Sequence, residues 1–228
     1  MNHRSAVATL ALILIVASFA CAAPKPVDPV FVPVQEVAGL PRVLLIGDSI
    51  SMGYTLPVRQ LLEGKANVQR VPENGGPTSR GLQQLTKWLG TGKWDVIHFN
   101  FGLHDLKFLT DGTQQTPIAD YEKNLRELVK RLKATGAKVI WCSTTPVPEG
   151  KLNPVRKNSD VIAYNAVALK VMQENGIAVD DLYGFALPKL AQIQLPQNVH
   201  FNPQGYKVLA GCVVASIQAA LAPPAQDK

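Results

Sequence analysis

Short aliphatic runs alternate along this chain with stretches of helical period, and each run stops at a glycine or a polar turn. That pattern leaves few folds open. Arg42-Val43-Leu44-Leu45-Ile46 is cut off by Gly47, and further runs lie at Val68 to Val71, Trp94 to Phe101, Lys138 to Ser143 and Ile177 to Asp180. Runs of this length with little polar alternation mark strands buried on both faces. Between them the period changes. From Ile118 to Ala134, residues Tyr121, Leu125, Leu128, Val129 and Leu132 share one helix face, charged residues fill the other, and Gly136 follows as a stop. Helices are also expected at Leu56 to Leu62, Leu82 to Leu89, Val161 to Glu174 and Tyr206 to Leu221. Strands that alternate with helices are joined by right-handed crossovers, so the expected fold is α/β, a three-layer α/β/α sandwich around a parallel sheet of about five strands. In such a fold the ligand site lies at the carboxyl ends of the strands.

The 228 residues are 46% hydrophobic and 18% charged, a balance suited to one globular domain. The ends are set apart. Residues 1–22 begin with His3 and Arg4, continue with an apolar run from Ala6 to Ala20 and close on small residues, the pattern of a secretory signal peptide. The run is short for a membrane span; an uncleaved anchor, or a lipid on Cys21, stays open as an alternative. Residues 23–41 hold five prolines between Pro24 and Pro41 and read as a linker, either tether or strap. The domain proper is expected over 42–222, with a disordered tail at 223–228. Secreted or periplasmic, the mature protein should carry no stable membrane insertion and act as a monomer. The formal charge of +6 is spread thinly, with no basic block interleaved with aromatics, which argues against nucleic-acid binding. Cys142 falls in a strand and Cys212 in an apolar helix, so two buried thiols are favoured over a disulfide, and no cysteine pair has zinc-ligand spacing.

Polar clusters stand just after three of the strands and before the last helix. Gly47-Asp48-Ser49 puts a serine at a strand-to-helix turn, where its N–H, at a helix start, can face developing negative charge. Glu73-Asn74-Gly75-Gly76-Pro77-Thr78-Ser79 brings backbone N–H groups toward a ligand. Gly102-Leu103-His104-Asp105 follows the third strand, and Asn198-Val199-His200 precedes the closing helix. Asp48, Asp105 and Thr78 are expected to brace these turns. Arg156 lies in the loop after the fourth strand, where a solvated side chain is the default reading and binding of an anionic or hydroxylated substrate the alternative, and Trp88, Trp94 and Trp141 read as core.

Together, in this order, the four segments resemble the SGNH or GDSL-type hydrolases, over nearly the whole span from Val43 to Leu221. The resemblance implies a flavodoxin-like sheet and a serine esterase with neither metal nor cofactor. It makes Ser49 the nucleophile, His200 the general base, and Ser49, Gly76 and the third-block position the oxyanion donors. Two positions depart from the family pattern. The third block normally supplies Asn, where this chain has His104, whose imidazole N–H can make the same bond. Three residues before the histidine the family has Asp, and here stands Gln197. The group that orients His200 is therefore open among Gln197, Asn198, a backbone carbonyl, or a carboxylate from elsewhere, first Asp181 and then Asp180. The implied substrates are short O-acyl esters, carbohydrate O-acetyl groups foremost; the alternatives are a lipid esterase or thioesterase, and a decayed hydrolase that binds carbohydrate.

Overall fold

The computed structural model describes residues 27–223. The signal peptide, Cys21 and nearly all of the tail lie outside these residues. Five strands, β1 (Arg42–Ile46), β2 (Asn67–Arg70), β3 (Val96–Phe99), β4 (Lys138–Cys142) and β5 (Ala178–Asp180), form one sheet in the order β2-β1-β3-β4-β5. Every pairing is parallel, in registers such as Leu45 opposite His98 and Trp141 opposite Val179. This is the flavodoxin-like strand order, whose reversal point lies between β1 and β3. The middle strands are sealed on both sides: Val43 to Ile46 and Val96 to Phe99 are all buried. The third strand is shorter than its expected run, from Val96 to Phe99, and the side-chain amide of Asn100 just beyond it donates to the carbonyl of Cys142 (2.7 Å).

The helices are α1 (Ser49–Leu61), α2 (Thr78–Leu89), α3 (Ile118–Lys133), α4 (Asn158–Asn175), the short α5 (Leu182–Ala186) and α6 (Leu190–Ile193), and α7 (Pro203–Leu221). In one layer α2 packs on α3 and α3 on α4, while in the other α1 packs on α7. The second pairing matters most, because α1 begins at Ser49 and α7 follows His200. Their close crossing depends on Gly53, since a Cβ there would run into the ring of Tyr206. No helix among the described residues is long and apolar enough to cross a membrane.

The proline-rich segment behaves as a strap. Its backbone at Val34 exchanges two hydrogen bonds with the Gln69 carboxamide (3.0 and 2.7 Å), and Val37 exchanges two with Asn67 (2.8 and 2.9 Å). Two amide side chains thus imitate a neighbouring strand and cover the edge at β2, which would otherwise leave pairing groups open. Pro29 to Phe31 forms a 3₁₀ turn against α1. Cys142 and Cys212 are both free thiols, and Trp88 and Trp141 are buried in the core.

Candidate active site

The bend after β1 is built to hold a serine at a helix end. Asp48 caps α1, its carboxylate accepting the Ile50 N–H at 2.9 Å, so Ser49 becomes the first helical residue. The Ser49 N–H therefore has no acceptor inside the helix, and it lies at the positive end of the helix dipole. Beneath the bend sits Arg70, a residue that sequence reasoning passed over as part of a strand. Its buried guanidinium donates to Ser51 Oγ (2.5 Å) and to the carbonyls of Gly47 (2.9 Å) and Asp48 (3.3 Å). Burial lowers its pKa to about 10, which leaves it charged at neutral pH. The signal that could have exposed it was a lone Arg ending a strand just ahead of the second polar loop.

His200 arrives from a small hairpin in front of α7. Gln194 and Phe201 pair across it, and the Leu195 N–H donates to the His200 carbonyl (3.0 Å). The tip is a turn closed by the Asn198 N–H on the Leu195 carbonyl (3.3 Å), with Pro196 second and Gln197 third at φ 50°, the type II pattern. Gln194 also donates to the carbonyl of Pro146 (2.8 Å), tying the hairpin to the loop after β4.

The turn decides which group orients the imidazole. Asn198 Oδ1 accepts the backbone N–H of His200 at 3.0 Å and stands 2.8 Å from Nδ1. A backbone N–H is always a donor, so the shared atom is the carboxamide oxygen, and Nδ1 must carry a proton to meet it. Neutral imidazole then keeps its lone pair on Nε2, 2.8 Å from Ser49 Oγ, whose hydroxyl donates to it. Gln197, suggested by the family's spacing, makes no such bond, although from its left-handed turn position it lines the same cleft. Asp181 is also excluded from that role: it caps α5 through the Gly184 N–H (3.1 Å) and accepts from Ser143 Oγ (2.8 Å). Asp180 is buried against His98 Nε2 (2.8 Å) and Cys212 Sγ (3.3 Å). The donor atoms of His98, Cys142 and Asp180 lie within 4.8 Å of one another, a set able to hold a metal, but Asp180 already closes directly on the imidazole.

Ser49, Asn74, His104, Arg156, Asn198 and His200 line one cleft of about 360 Å³. Burial lowers the pKa of His104, and nearby Lys107, Arg156 and His200 act in the same direction against the opposing pull of Asp48. At neutral pH His104 is thus an uncharged imidazole with one N–H to offer. Gly76 departs from expectation. Its backbone takes the left-handed conformation (φ 64°), but its N–H donates to Asn74 Oδ1 at 2.9 Å. The carboxamide folds back on the amide two residues ahead, as Asn does in an Asx-turn, so this N–H is engaged in the resting cleft. Gly75 donates to the Gly47 carbonyl (2.9 Å), and an added Cβ would sit 2.9 Å from that oxygen, so only glycine lets the second loop lie against the serine bend.

Asp105 braces this second loop and takes no position in the cleft lining. Fully buried, it accepts the Thr78 N–H (2.9 Å) and the Thr78 hydroxyl (2.5 Å), pinning the start of α2. Burial pushes its pKa up to about 6, although the bonds from Thr78 pull the other way. In the unfolded chain an Asp loses its proton near pH 4, so between about pH 4 and 6 the native state holds a proton that the unfolded state has released. Stability should then fall as pH rises through that window, by on the order of 3 kcal/mol. Urea unfolding of the wild type and of Asp105→Asn from pH 4 to 7 checks this. The variant should lack that part of the slope, and an equal slope in both proteins would count against the assignment.

A serine hydroxyl, an imidazole with its lone pair on that hydroxyl and a helix N-terminus around one cleft form an acyl-transfer constellation. The profile of the GDSL-like lipase/acylhydrolase family matches residues 45–208. The chain belongs to this family. It is accordingly a carboxylic ester hydrolase of the SGNH type. Among solved structures it is similar to the lipase/acylhydrolase from Enterococcus faecalis, at 23% identity over 82% of this chain and 100% of that one, with a TM-score of 0.69. It is also similar to the acetyl xylan esterase AlAXEase, at 18% identity, 77% and 99% coverage and a TM-score of 0.68. A third relative in fold is Axe2, an acetylxylan esterase from Geobacillus stearothermophilus, at 19% identity, 78% and 94% coverage and a TM-score of 0.64. At these identities the structural likeness speaks for the fold. No curated protein matches the chain in sequence.

Proposed function

We propose that this SGNH-type esterase is an exported enzyme that hydrolyses short O-acyl esters, carbohydrate O-acetyl groups foremost, through an acyl-enzyme formed on Ser49. The observation that carries the mechanism is the chain of two 2.8 Å contacts, Ser49 Oγ to His200 Nε2 and His200 Nδ1 to Asn198 Oδ1. Ser49 Oγ attacks the ester carbonyl carbon and passes its proton to His200 Nε2. The oxygen that becomes negative is met by the Ser49 N–H and by His104, which stands where the family carries Asn. Its collapse expels the alcohol, protonated by His200, and leaves the acyl group on Ser49. Water then repeats the step, giving its proton to His200, which passes it to Ser49 Oγ as the acyl–oxygen bond breaks and the acid departs.

Asn198 replaces the usual aspartate as positioning residue. Its neutral oxygen holds the ring and selects the tautomer, but it brings no charge to stabilise the imidazolium. The apolar run of residues 6–20 supports export, and the acetyl xylan esterases of like fold support the choice of acyl group and alcohol. A fluorophosphonate probe tests the reading directly. Mass mapping should find the label on Ser49, and labelling should slow markedly in His200→Ala. A label on another residue, or equal labelling of Ser49→Ala, would sink it.

A further inference from the structure

Arg156 stands in the lining of the cleft beside Ser49, His104 and His200. Its Nε donates to the Leu103 carbonyl at 2.8 Å, and one terminal nitrogen reaches the Pro154 carbonyl at 3.4 Å. The second terminal nitrogen has no hydrogen-bond acceptor among the described residues. Nor does the guanidinium pair with any carboxylate there, in contrast with Arg42, Arg80 and Arg126. It is half-buried, and burial lowers its pKa, with the carboxylate of Asp48 opposing. The cleft lining itself contains no Asp or Glu. On the same side of the site Lys107 is near enough to act on His104.

We propose that Arg156 is an anion-recognition residue, and that the natural ester carries a carboxylate that this guanidinium binds while the acyl carbon lies at Ser49. The inference rests on the esterase reading of the same site and narrows its substrate class. Withdrawing a guanidinium from water without giving it a counter-charge is costly, and such groups collect where a ligand supplies the missing charge. The two backbone carbonyls hold the planar head in place, which leaves one edge to donate to a carboxylate and lessens the entropy lost on binding. A chain whose formal charge is +6 adds a weak attraction of the same sign. The carboxylate can belong to either half of the ester: the acyl group, as in a hemisuccinate, or the alcohol, as in an acetylated uronic-acid glycan.

Two matched pairs of substrates separate these sources. 4-Nitrophenyl acetate is compared with mono-4-nitrophenyl succinate, and O-acetylated xylan with O-acetylated polygalacturonate, at low ionic strength. The wild type should favour the acid of at least one pair by about 10- to 100-fold in kcat/KM, the range of a charge-assisted hydrogen bond. In Arg156→Gln that ratio should collapse, chiefly through KM, and in Arg156→Lys it should survive in part. The pair that shows the effect identifies which half bears the charge. A control needs no variant: free succinate or galacturonate should compete with 4-nitrophenyl acetate better than methyl succinate diester or galactose. Equal use of both members of each pair, equal inhibition by charged and uncharged competitors, or an unchanged ratio in Arg156→Gln would overturn the proposal. Absence of any Ser49-dependent hydrolysis of all four esters would overturn the underlying esterase assignment instead.

Discussion

Ser49→Ala lowers kcat for 4-nitrophenyl acetate by about 10⁴- to 10⁶-fold, His200→Ala by nearly as much, and the double variant by little more than either alone. The non-additivity is the informative part. Without the imidazole, Ser49 Oγ remains a weak nucleophile, and without the hydroxyl the imidazole has nothing to deprotonate, so removing either ends the same step. Steady-state rates for the three variants, corrected for spontaneous hydrolysis, decide it. Losses that multiply would mean that the two groups act separately despite their 2.8 Å contact. Asn198→Ala belongs to the same series but costs less, about tenfold, the worth of one neutral hydrogen bond. Asn198→Asp supplies a charge beside the Nδ1–H and stabilises the imidazolium. The acid limb of its rate profile should therefore move to higher pH.

His104→Ala lowers kcat by about 10²- to 10³-fold with little change in KM, because the bond it removes forms only when the carbonyl oxygen turns negative. A buried oxyanion-hole donor in subtilisin is worth about 2.7–4 kcal/mol, and with the N–H of Gly76 engaged by Asn74 the proposed role of His104 calls for a comparable share. His104→Asn replaces one N–H donor by another and should recover much of the loss. Burial holds the imidazole uncharged at neutral pH, so the wild-type contribution is that of a neutral donor and should not fade as pH rises from 7 to 9. Kinetics of both variants over that range test the assignment. If His104→Ala matched the wild type, the oxyanion would be held without it, by the Ser49 N–H and by Gly76 once Asn74 had released it.

The layered fold could be read from the chain because its signals are local. A run such as Val43 to Ile46 can be buried only in a strand covered on both sides, and the spacing of Tyr121, Leu125, Leu128 and Leu132 can be satisfied only by a helix with one apolar face. The helix over residues 118–133 and the five strands appear where those patterns lie. The short helices between Leu182 and Ile193 escaped notice, since four or five residues are too few to establish a period. Ser49 and His200 were legible for a different reason: each stands in a motif whose meaning depends on residues within a few positions of it.

What remained hidden depended on side chains meeting across the sheet or on the path of a turn. The family's spacing puts Gln197 in the aspartate's place and leaves Asn198, a backbone carbonyl and Asp181 open beside it; the hairpin turn brings Asn198 Oδ1 to the imidazole. Asp181 had the right chemistry, yet Ser143 and the start of α5 claim it. Arg70 lies 21 residues from Ser49 in sequence and fastens the bend that carries it. The proline-rich segment became a strap because Asn67 and Gln69, on the edge strand β2, offer amide groups at strand spacing. The sequence by itself determined the α/β layers, the strand ends where a site must open, and the serine and histidine that face each other there, since hydrophobic period and turn chemistry act over a few residues. Only the tertiary structure decided which neutral oxygen holds the imidazole, which oxyanion donor is engaged at rest and that the arginine in the cleft pairs with no carboxylate, because hydrogen bonds are settled by directions and distances between groups that the chain order keeps apart.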